Sequence, residues 1–465
     1  MTDPVNKAAK IAAKEAPARA GARRAASKAA ADAAFPPRTA YVNARLLDPA
    51  SGLDGPGALL TEGATIADLG PRLFADGVPE GVEAVDCRGH CLAPGLVDMR
   101  VQLREPGEEH KETMMTAGLA AAAGGITAMA CLPNTKPVID DAALVEFVIT
   151  RGREAGLVNI HPYGALTQGL GGERMTEMGL LAAAGAVAFT DATKAVADAL
   201  VMRRALSYAK TFDLLIVQHP EEPRLAAGGL MNEGEISTRL GLQGITAVAE
   251  VLMVERDIRL VELTGARYHA AHLSTALAVD AVRRAKARGL PVTCDTAPPY
   301  FALNETAVGE YRTFAKLSPP LRAEADRQAV VEGVKDGTID AIASDHAPQD
   351  QESKRLPFAQ AEPGIIGLET LLCLSLELCH NGHLSLLDLV RRITCAPAGL
   401  LGLEGGELKK GGPADLVLFD PDRPWKIDEK RFLSKSKNSP FDGRPVQGIA
   451  LRTIAAGGAA FTRDG

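Results

Sequence analysis

Four polar side chains stand directly after short apolar runs, where a parallel sheet would expose its functional residues. They are Asp191, His219, His272 and Asp345. Imidazole nitrogens and carboxylate oxygens are the groups by which proteins bind Zn²⁺ and similar divalent ions. A lone histidine at a strand end is more often a structural residue. Four such strand ends in one alternating pattern favour a metal site made of these four residues.

Asp345 is the strongest of these candidates. It follows the apolar run 341–343, where a carboxylate is costly to bury unless it is paired. His269 lies three residues before His272, so strand alternation turns it to the opposite face, where we expect it to pack. Three other histidines are assigned structural or surface positions: His346, His380 and His383.

The elements that would hold these residues alternate between strand and helix over about 94–400. Strand-like apolar runs occupy 126–132, 185–191, 214–218, 267–272, 291–295 and 338–345. Regular alternation over this length predicts a parallel sheet and favours a (β/α)8 TIM-type barrel, whose active site lies at the carboxyl ends of the strands. A doubly wound sheet is the alternative, but no Gly-x-Gly-x-x-Gly turn follows a first strand.

Two β-rich segments flank this middle region. Residues 38–93 and 404–465 contain alternating apolar runs such as 40–47 and 414–420, which predict a small β-sandwich domain assembled from both ends of the chain. The predicted boundaries are therefore 38–93 with 404–465 for the sandwich and 94–403 for the barrel. Residues 1–37 form an Ala-rich basic tail without a large apolar stripe, and we expect it to be disordered.

The composition of the 465-residue chain narrows the functional classes. Its formal net charge of −7 argues against nucleic acid or an anionic membrane as a partner. No apolar run approaches the roughly 18 residues that span a bilayer. The seven cysteines form no Cys-x-x-Cys pair and several lie in apolar runs, so we expect reduced thiols and a cytoplasmic protein.

Several motifs together resemble the dihydroorotase branch of the amidohydrolase superfamily. The resemblance covers about residues 38–463, and its motifs are highly specific as a set. They are Asp-Met-Arg-Val-Gln-Leu-Arg-Glu-Pro-Gly (98–107), Leu-Pro-Asn-Thr (132–135), Phe-Thr-Asp (189–191), Asn-Glu-Gly-Glu-Ile-Ser-Thr-Arg-Leu-Gly (232–241), Ala-His-Leu-Ser-Thr (271–275), Ser-Asp-His-Ala-Pro (344–348), Gly-Ile-Ile-Gly-Leu-Glu-Thr (364–370) and Ser-Lys-Ser-Lys-Asn-Ser-Pro-Phe (434–441).

The resemblance implies a barrel beside a β-sandwich and a zinc-dependent interconversion of carbamoyl-aspartate and dihydroorotate in pyrimidine synthesis. It implies that Asp345 is a metal ligand and the general base. The other implied metal ligands are His219, His272 and Asp191, of which Asp191 is the least secure match because Ala192 follows it. The implied substrate-binding residues are Arg104, Asn134, Pro363 and Gly364.

The chain departs from the family pattern at the positions that do chemistry. The family's His-x-His pair falls on Arg100 and Gln102. Arginine keeps its proton in proteins and so cannot bind zinc, and glutamine is a poor neutral ligand. Further departures occur at Ser318, Gln349 and the Pro298-Pro299-Tyr300 stretch. We therefore expect a remnant metal site that holds one zinc ion at most, or none.

Arg100 suggests how the fold tolerates this loss. Without a metal, Asp345 and Asp191 would be uncompensated like charges in a partly buried site. A guanidinium can bridge two carboxylates through its forked donors, so we expect Arg100 to bridge Asp345 and Asp191 as a built-in cation. The alternative is that Arg100 turns toward solvent.

Three functions remain open at this point. The favoured one is a non-catalytic or strongly impaired dihydroorotase-like protein that supports aspartate carbamoyltransferase. The second is an active zinc enzyme in which His219, His272 and a carboxylate hold one ion, since three protein ligands suffice for a catalytic zinc. The third is another cyclic-amide hydrolase with an altered small-molecule substrate. In each case we expect a homo-oligomer.

Overall fold

The computed structural model describes residues 38–463, so the predicted disordered tail lies outside the described residues. Its strands are β1 (Arg38–Asp48), β2 (Leu53–Glu62), β3 (Thr65–Gly70), β4 (Glu83–Asp86), β5 (Cys91–Pro94), β6 (Leu96–Val101), β7 (Ile126–Cys131), β8 (Asn159–Pro162), β9 (Gly164–Ala165), β10 (Phe189–Thr190), β11 (Ile216–Gln218), β12 (Met231–Asn232), β13 (Gly244–Ile245), β14 (Tyr268–Ala270), β15 (Val292–Thr296), β16 (Ala341–Ile342), β17 (Leu416–Lys426), β18 (Pro445–Ala455) and β19 (Gly458–Thr462).

The helices follow the barrel strands and fill the segments between them. The α-helices are α1 (Met114–Ala123), α2 (Ala142–Ala155), α3 (Met178–Ala184), α4 (Ala199–Phe212), α5 (Pro223–Ala226), α6 (Glu235–Leu240), α7 (Val248–Thr264), α8 (Ala276–Ala287), α9 (Pro298–Ala302), α10 (Glu324–Lys335), α11 (Gln351–Arg355), α12 (Leu371–His380), α13 (Leu386–Ile393) and α14 (Cys395–Leu401). Short 3-10 helices lie at Gln168–Leu170, Glu305–Val308, Thr313–Ala315 and Glu429–Arg431.

The predicted (β/α)8 barrel is confirmed. One parallel sheet runs β6-β7-β8 and a second runs β9-β10-β11-β14-β15-β16. Since β8 and β9 are two pieces of one strand interrupted at Tyr163, the two sheets supply the eight strands of a barrel. A parallel bridge between Val101 and His346 joins the last strand to the first, and the Gln102 amide donates to the His346 carbonyl at 2.8 Å.

The terminal segments form one eight-stranded sheet in the order β19-β18-β17-β5-β1-β2-β3, with β4 paired to β1. Strand β17 from the C-terminal segment pairs antiparallel with β5 from the N-terminal segment, so both ends of the chain build the small domain, as predicted. The exact domain boundaries stay a prediction.

The barrel packs against this sheet through small residues. Helix α1 begins at Thr113, whose hydroxyl accepts from the Thr116 amide, and most of its residues, largely Ala, are buried. The Thr453 hydroxyl on β18 donates to the Ala122 carbonyl near the end of α1 at 2.6 Å. At Gly125, which follows α1 and has a φ angle of +89°, a Cβ would lie 2.8 Å from Val417 Cγ2 on β17, so this close approach favours glycine.

The cysteines and the helix lengths bear on the environment of the protein. All seven cysteines are free thiols, as predicted. Within 38–463 no helix combines the length and apolar character that a membrane crossing requires.

Candidate functional site

The polar residues predicted from strand ends gather at one end of the barrel. Arg100 lies on β6, Asp191 follows β10, His219 follows β11, and His272 lies just beyond β14. Asp345 lies beyond β16, and each of the five side chains is buried. Because the carboxyl ends of parallel barrel strands share one face, the fold brings together residues that are far apart in the chain.

Left-handed backbone conformations cluster at this end of the barrel. The φ angles are +62° at Arg104, +61° at Ala192, +38° at His272 and +53° at Asp345, none of which is glycine. Such angles cost free energy for residues with a Cβ and concentrate at functional sites. The chain therefore retains the strained backbone of a working pocket.

Arg100 forms a buried ion pair with Asp345. Its Nε donates to Asp345 Oδ1 at 2.9 Å, and its Nη2 donates to the Ala192 carbonyl at 3.2 Å. The side chain of Arg100 is only 2% exposed, so the alternative in which it turns toward solvent is wrong. Its Nη1 has no hydrogen-bond partner among the described residues.

The expected bridge from Arg100 to Asp191 is wrong. Asp191 instead accepts from the Thr167 backbone amide at 2.8 Å and from the Thr167 hydroxyl. Thr167 follows β9 and so approaches Asp191 from the neighbouring strand, which satisfies this carboxylate without a cation. Burial raises the pKa of Asp191, which lowers the electrostatic need for a second positive charge.

A chain of contacts runs from Arg100 through Asp345 to the two histidines. His272 Nδ1 lies 3.1 Å from Asp345 Oδ2, and His272 Nε2 lies 2.8 Å from His219 Nδ1. His219 Nε2 lies 3.8 Å from Glu221 Oε1. The Tyr300 hydroxyl also lies 3.3 Å from Asp345 Oδ2, so the tyrosine of the altered Pro-Pro-Tyr stretch occupies this site.

The protonation of this chain follows from its charges. Although burial opposes ionisation, the hydrogen bonds and charges of His272 and Arg100 hold the pKa of Asp345 well below its usual range. Burial and the Arg100 charge lower the pKa of His272 to about 4. A neutral His272 that donates from Nδ1 to Asp345 must accept at Nε2, so His219 donates from Nδ1.

Glu221 lies at the solvent end of this chain. Burial alone would raise the pKa of its carboxyl. The adjacent His219 imidazole lowers this pKa by a larger amount, so the pKa lies below its usual value. Glu221 Oε2 is buried without a hydrogen-bond partner among the described residues. Sequence reasoning missed Glu221, although its position two residues after His219 was a usable signal.

Asp98 is a second residue that sequence reasoning missed. Its Oδ1 accepts from the Arg100 amide at 3.2 Å and from the Ser344 amide at 3.1 Å, so it joins the strands that carry Arg100 and Asp345. Burial raises the pKa of Asp98 to about 7. Its place at the start of the 98–107 motif was the signal that could have identified it.

The residues predicted to hold substrate are engaged by the protein itself. Arg104 donates from Nε to the Pro348 carbonyl at 3.1 Å and from Nη1 to Glu108 at 3.2 Å. The Asn134 amide donates to Gln102 Oε1 at 3.1 Å. The side-chain oxygen of Gln102 therefore accepts a hydrogen bond from Asn134.

Pro363 and Gly364 lie on a loop that packs against the same end of the barrel. Gln349 donates from Nε2 to the Pro363 carbonyl at 2.9 Å, and Asn438 donates to the Gly364 carbonyl at 2.9 Å. At Gly364 the φ angle is +129° and a Cβ would lie 2.7 Å from the Ala347 carbonyl oxygen. Their predicted role in substrate binding stays a prediction, as do those of Arg104 and Asn134.

The histidines assigned structural positions lie outside this chain of contacts. His269 is buried on β14, with Nδ1 2.8 Å from the Thr293 hydroxyl and Nε2 3.5 Å from Asp295 Oδ2. His346 is buried with Nε2 3.5 Å from Glu112. Neither contacts His219 or Asp345 in a hydrogen bond or ion pair of the described residues.

A cavity of about 400 Å³ opens beside His219 and Glu221. Thr193 and Lys194, which follow β10, line it together with the Gly171-Gly172 turn. The other lining residues are apolar and consist of Leu170, Ala195, Pro223, Ala226 and Ala227. The cavity is thus lined by the segments that follow β9, β10 and β11, and Arg100 is not among its lining residues.

The donor groups at the barrel mouth do not fit the zinc site that the resemblance implies. Arg100 places a permanent positive charge 2.9 Å from the Asp345 oxygen that would bind the ion. His219 and His272 share a proton between the nitrogens that face each other at 2.8 Å, whereas a metal ligand must offer a lone pair. Among residues 38–463, no group of three or more His, Cys, Asp or Glu side chains is arranged to hold an ion.

Comparison with known proteins places the chain by sequence. The family described as dihydro-orotase-like matches residues 89–277. The dihydroorotase of Anaplasma phagocytophilum is 49% identical over 431 residues, which cover 91% of this chain and 95% of that protein. The chain belongs to the dihydroorotase family. The dihydroorotase of Pelobacter propionicus is also 49% identical, over 90% of this chain and 99% of that protein.

Solved structures of the same fold support this assignment. The L-hydantoinase (dihydropyrimidinase) of Arthrobacter aurescens aligns with a TM-score of 0.80 at 25% identity, over 92% of this chain and 96% of that one. The D-hydantoinase of a Thermus species aligns with a TM-score of 0.79 at 24% identity, over 91% and 95%. The second likeness shows the fold alone. This dihydroorotase-family chain therefore keeps the barrel of the cyclic amidohydrolases around an altered site.

Proposed function

We propose that this chain is a non-catalytic member of the dihydroorotase family that serves pyrimidine biosynthesis in the cytoplasm by supporting aspartate carbamoyltransferase. The observation that carries the non-catalytic part is the buried ion pair between Arg100 and Asp345. Asp191, Arg104 and Asn134 are likewise hydrogen-bonded to other groups of the protein.

The ion pair removes the chemistry that the family assigns to Asp345. A general base must accept a proton in the reaction, and its pKa should lie near the working pH. His272 and the Arg100 guanidinium together hold the pKa of Asp345 far below that range, and the guanidinium occupies one of its oxygens. Because arginine cannot deprotonate in a protein, this block persists at every physiological pH.

Substrate binding meets a second obstacle. The Arg104 guanidinium already donates to Glu108 and to Pro348, and Asn134 already donates to Gln102. A substrate carboxylate would have to compete with a charged partner that is held in place. Breaking a charge-assisted hydrogen bond costs about 1.5–3 kcal/mol, which the incoming ligand must offset.

A partner-supporting role accounts for what the chain retains. The barrel, the joint sheet and the left-handed backbone at the mouth are present, although Arg100 and Gln102 stand where the family has its His-x-His pair. The family resemblance supplies the partner: degenerate members accompany aspartate carbamoyltransferase and help it to assemble. In this proposal the fold is retained because its surface binds the carbamoyltransferase.

An active dihydroorotase with one zinc is the second candidate. It is favoured by the presence of His219, His272 and Asp345, all buried at one end of the barrel, because three protein ligands are enough for a catalytic zinc. For this function Arg100 would have to leave Asp345, so metal loading would require a rearranged β6.

The test uses the full chain with the aspartate carbamoyltransferase from the same organism. We expect a complex of defined mass in analytical ultracentrifugation and a carbamoyltransferase that is more active or more stable with the chain than without it. We also expect no dihydroorotate hydrolysis by the chain alone, with or without added Zn²⁺. A carbamoyltransferase unaffected by the chain would contradict the supporting role, and zinc-dependent hydrolysis would contradict the non-catalytic one.

A further inference from the structure

Two buried lysines hold the segment that follows the last barrel strand. Lys354 lies on α11, after Asp345 at the end of β16 and before the Pro363-Gly364 turn, and it is 3% exposed. Lys316 follows the 3-10 helix Thr313–Ala315 and is 8% exposed. We call residues 350–364 the strap, since they cross from the last barrel strand to this helix and return to the barrel mouth.

The Lys354 ammonium ties the strap to itself and to the neighbouring segment. Its Nζ donates to the Glu362 carbonyl at 2.7 Å, within the strap, and to the Thr313 carbonyl at 3.0 Å, outside it. The Lys316 carbonyl lies 3.5 Å from the same Nζ. The Thr313 hydroxyl donates back to the Lys354 carbonyl at 2.6 Å, so the contact between the two segments is reciprocal.

Lys316 holds the middle of the strap. Its Nζ donates to the Phe358 and Ala359 carbonyls at 2.8 and 3.0 Å and lies 5.6 Å from the centre of the Phe358 ring. Its carbonyl accepts from the Gly364 amide at 2.9 Å. Because a segment with few buried side chains opens more readily than a core, these contacts decide how firmly the strap is held. The side chains that the strap buries are those of Lys354, Phe358 and Ala361.

Both ammoniums are surrounded by carbonyl groups and not by carboxylates. Neither forms an ion pair within 4.0 Å among the described residues, and the carboxylate whose charge acts on both is that of the exposed Glu362. Glu362 also acts on Arg104 from the barrel side. Asp350 accepts from the Ser353 amide at 2.9 Å. The remaining charged side chains of the packed segments are exposed: Arg312, Glu352 and Arg355.

A buried ammonium without a close counter-charge gives up its proton more easily than one in water. Burial and the Lys316 charge lower the pKa of Lys354 from 10.5 to about 7, and burial lowers the pKa of Lys316. When the strap opens, Lys354 reaches water and regains its usual pKa. Between these two values the open strap holds a proton that the closed strap has lost, so a fall in pH through this range favours opening.

We propose that Lys354 makes the strap a proton-operated latch at the barrel mouth, closed while the buried amine is neutral and released when it takes up a proton. Release would free the Pro363-Gly364 turn, which Gln349 and Asn438 hold against the barrel. Access to the barrel mouth would then increase as the pH falls toward 7. This inference goes beyond the proposed function and depends on neither catalysis nor a carbamoyltransferase.

Hydrogen–deuterium exchange of the full chain, followed by mass spectrometry from pH 7.5 to 9.5, tests the proposal. After correction for the intrinsic exchange rate at each pH, the protection of peptides within 356–364 should rise up to about ten-fold per pH unit. The reporting amides include those of Glu362 and Gly364, which donate to the Ser353 and Lys316 carbonyls. Peptides of α10, outside the strap, are the internal reference and should show a much smaller slope.

Two substitutions assign the slope to Lys354. Lys354→Met removes the titrating group and should leave strap protection independent of pH. Lys354→Arg keeps its charge at every pH, so its strap should show low protection without a slope. The matched control is Lys335→Met on α10, whose side chain is half-exposed, and it should keep the slope of the unmodified chain.

Two results would overturn the proposal. One is strap protection in the unmodified chain that does not change with pH, or that changes only as much as that of α10, and this result needs no variant to fold. The other is a slope that persists in Lys354→Met, which would assign the proton to another group. Zinc-dependent turnover, or a carbamoyltransferase unaffected by the chain, would contradict the proposed function and leave these slopes unchanged.

Discussion

The two sides of the barrel mouth satisfy their buried polar groups in different ways. The β6 side, defined by Asp98, Arg100 and Gln102, departs from the family pattern and uses a charged pair with Asp345. The β10–β14 side, defined by Asp191, His219 and His272, keeps the expected residue types and uses hydrogen bonds to Thr167 and between the two imidazoles. The cavity of about 400 Å³ is lined by His219 and by residues that follow β10 and β11, on this second side.

In the proposed non-catalytic function, this difference explains how the barrel is kept after the loss of a metal site. One positive charge on β6 compensates the carboxylate that a metal would otherwise neutralise, so the rest of the mouth can remain unchanged. The β10–β14 side then persists as a pocket.

Replacing Arg100 should have the largest effect. Arg100→Ala leaves Asp345 buried without its cation, and breaking a buried pair in this way costs about 3–5 kcal/mol of unfolding free energy. Denaturant unfolding monitored by circular dichroism would measure the loss. Arg259→Ala, at an exposed ion pair with Glu262, is the control and should stay within about 0.5 kcal/mol.

A second substitution distinguishes pairing from simple packing. In the Arg100→Ala background, Asp345→Asn removes the unpaired charge and should recover about 1 kcal/mol or more. If the double variant is as unstable as the sum of the single variants, the two side chains do not act as a pair.

Glu250 supports the β10–β14 side and should have a smaller effect. It lies on α7 and accepts from the Ser274 and Thr275 amides at 3.1 and 2.9 Å and from both hydroxyls, which fixes the turn after His272. Glu250→Gln places amide hydrogens against these donors and should cost about 2 kcal/mol. The matched control on the same helix is Glu255→Gln, which is exposed. A Glu250→Gln cost above that of Arg100→Ala would reverse the comparison.

Asp98 gives a pH-dependent prediction for the β6 side. Its pKa is raised from 3.8 to about 7, so the folded state holds a proton that the unfolded state has lost between these values. Asp98 therefore stabilises the fold at low pH, and this contribution is lost as the pH rises to about 7. His272, with a pKa lowered from 6.5 to about 4, has the opposite effect, so stability should rise with pH over that range.

Asp98→Asn isolates the first of these effects. The amide oxygen can still accept from the Arg100 and Ser344 amides, but it no longer titrates. Unfolding free energies measured from pH 4.5 to 7 should then rise more steeply with pH, by up to about 1 kcal/mol per unit, than those of the unmodified chain. Identical slopes would mean that Asp98 is ionised throughout.

Much of the fold and part of the site can be predicted from the sequence. The alternation of apolar runs with helical segments identifies the barrel, and the positions of His219 and His272 after apolar runs place them at its mouth. Strand lengths are predicted less well: the run 185–191 contains only the strand Phe189–Thr190, in which Phe189 pairs with both neighbouring strands and Thr190 with β9 alone. A run of apolar residues predicts that the segment is buried. How many of its residues form a strand depends on their hydrogen-bond pairing with the neighbouring strands, which the run does not reveal.

The contacts of the site depend on residues that are distant in the chain. Thr167 precedes Asp191 by 24 positions and takes the contact expected for Arg100. The sequence does not identify Asp98 because its role depends on Ser344, which follows another strand. It does not identify Glu221 because that residue takes its role from the cavity that it lines. Residue types and their positions at strand ends predict which side chains lie close together, but not which hydrogen bonds form between them.

The most direct test of the account measures zinc content and dihydroorotate hydrolysis on the same purified samples. The unmodified chain is compared with Arg100→His combined with Gln102→His, which restores the family pair. We predict no bound zinc and no turnover for the unmodified chain, and zinc binding by the double variant once the guanidinium is gone. About one zinc per unmodified chain, with turnover that a chelator abolishes, would contradict the central claim that Arg100 replaces the metal.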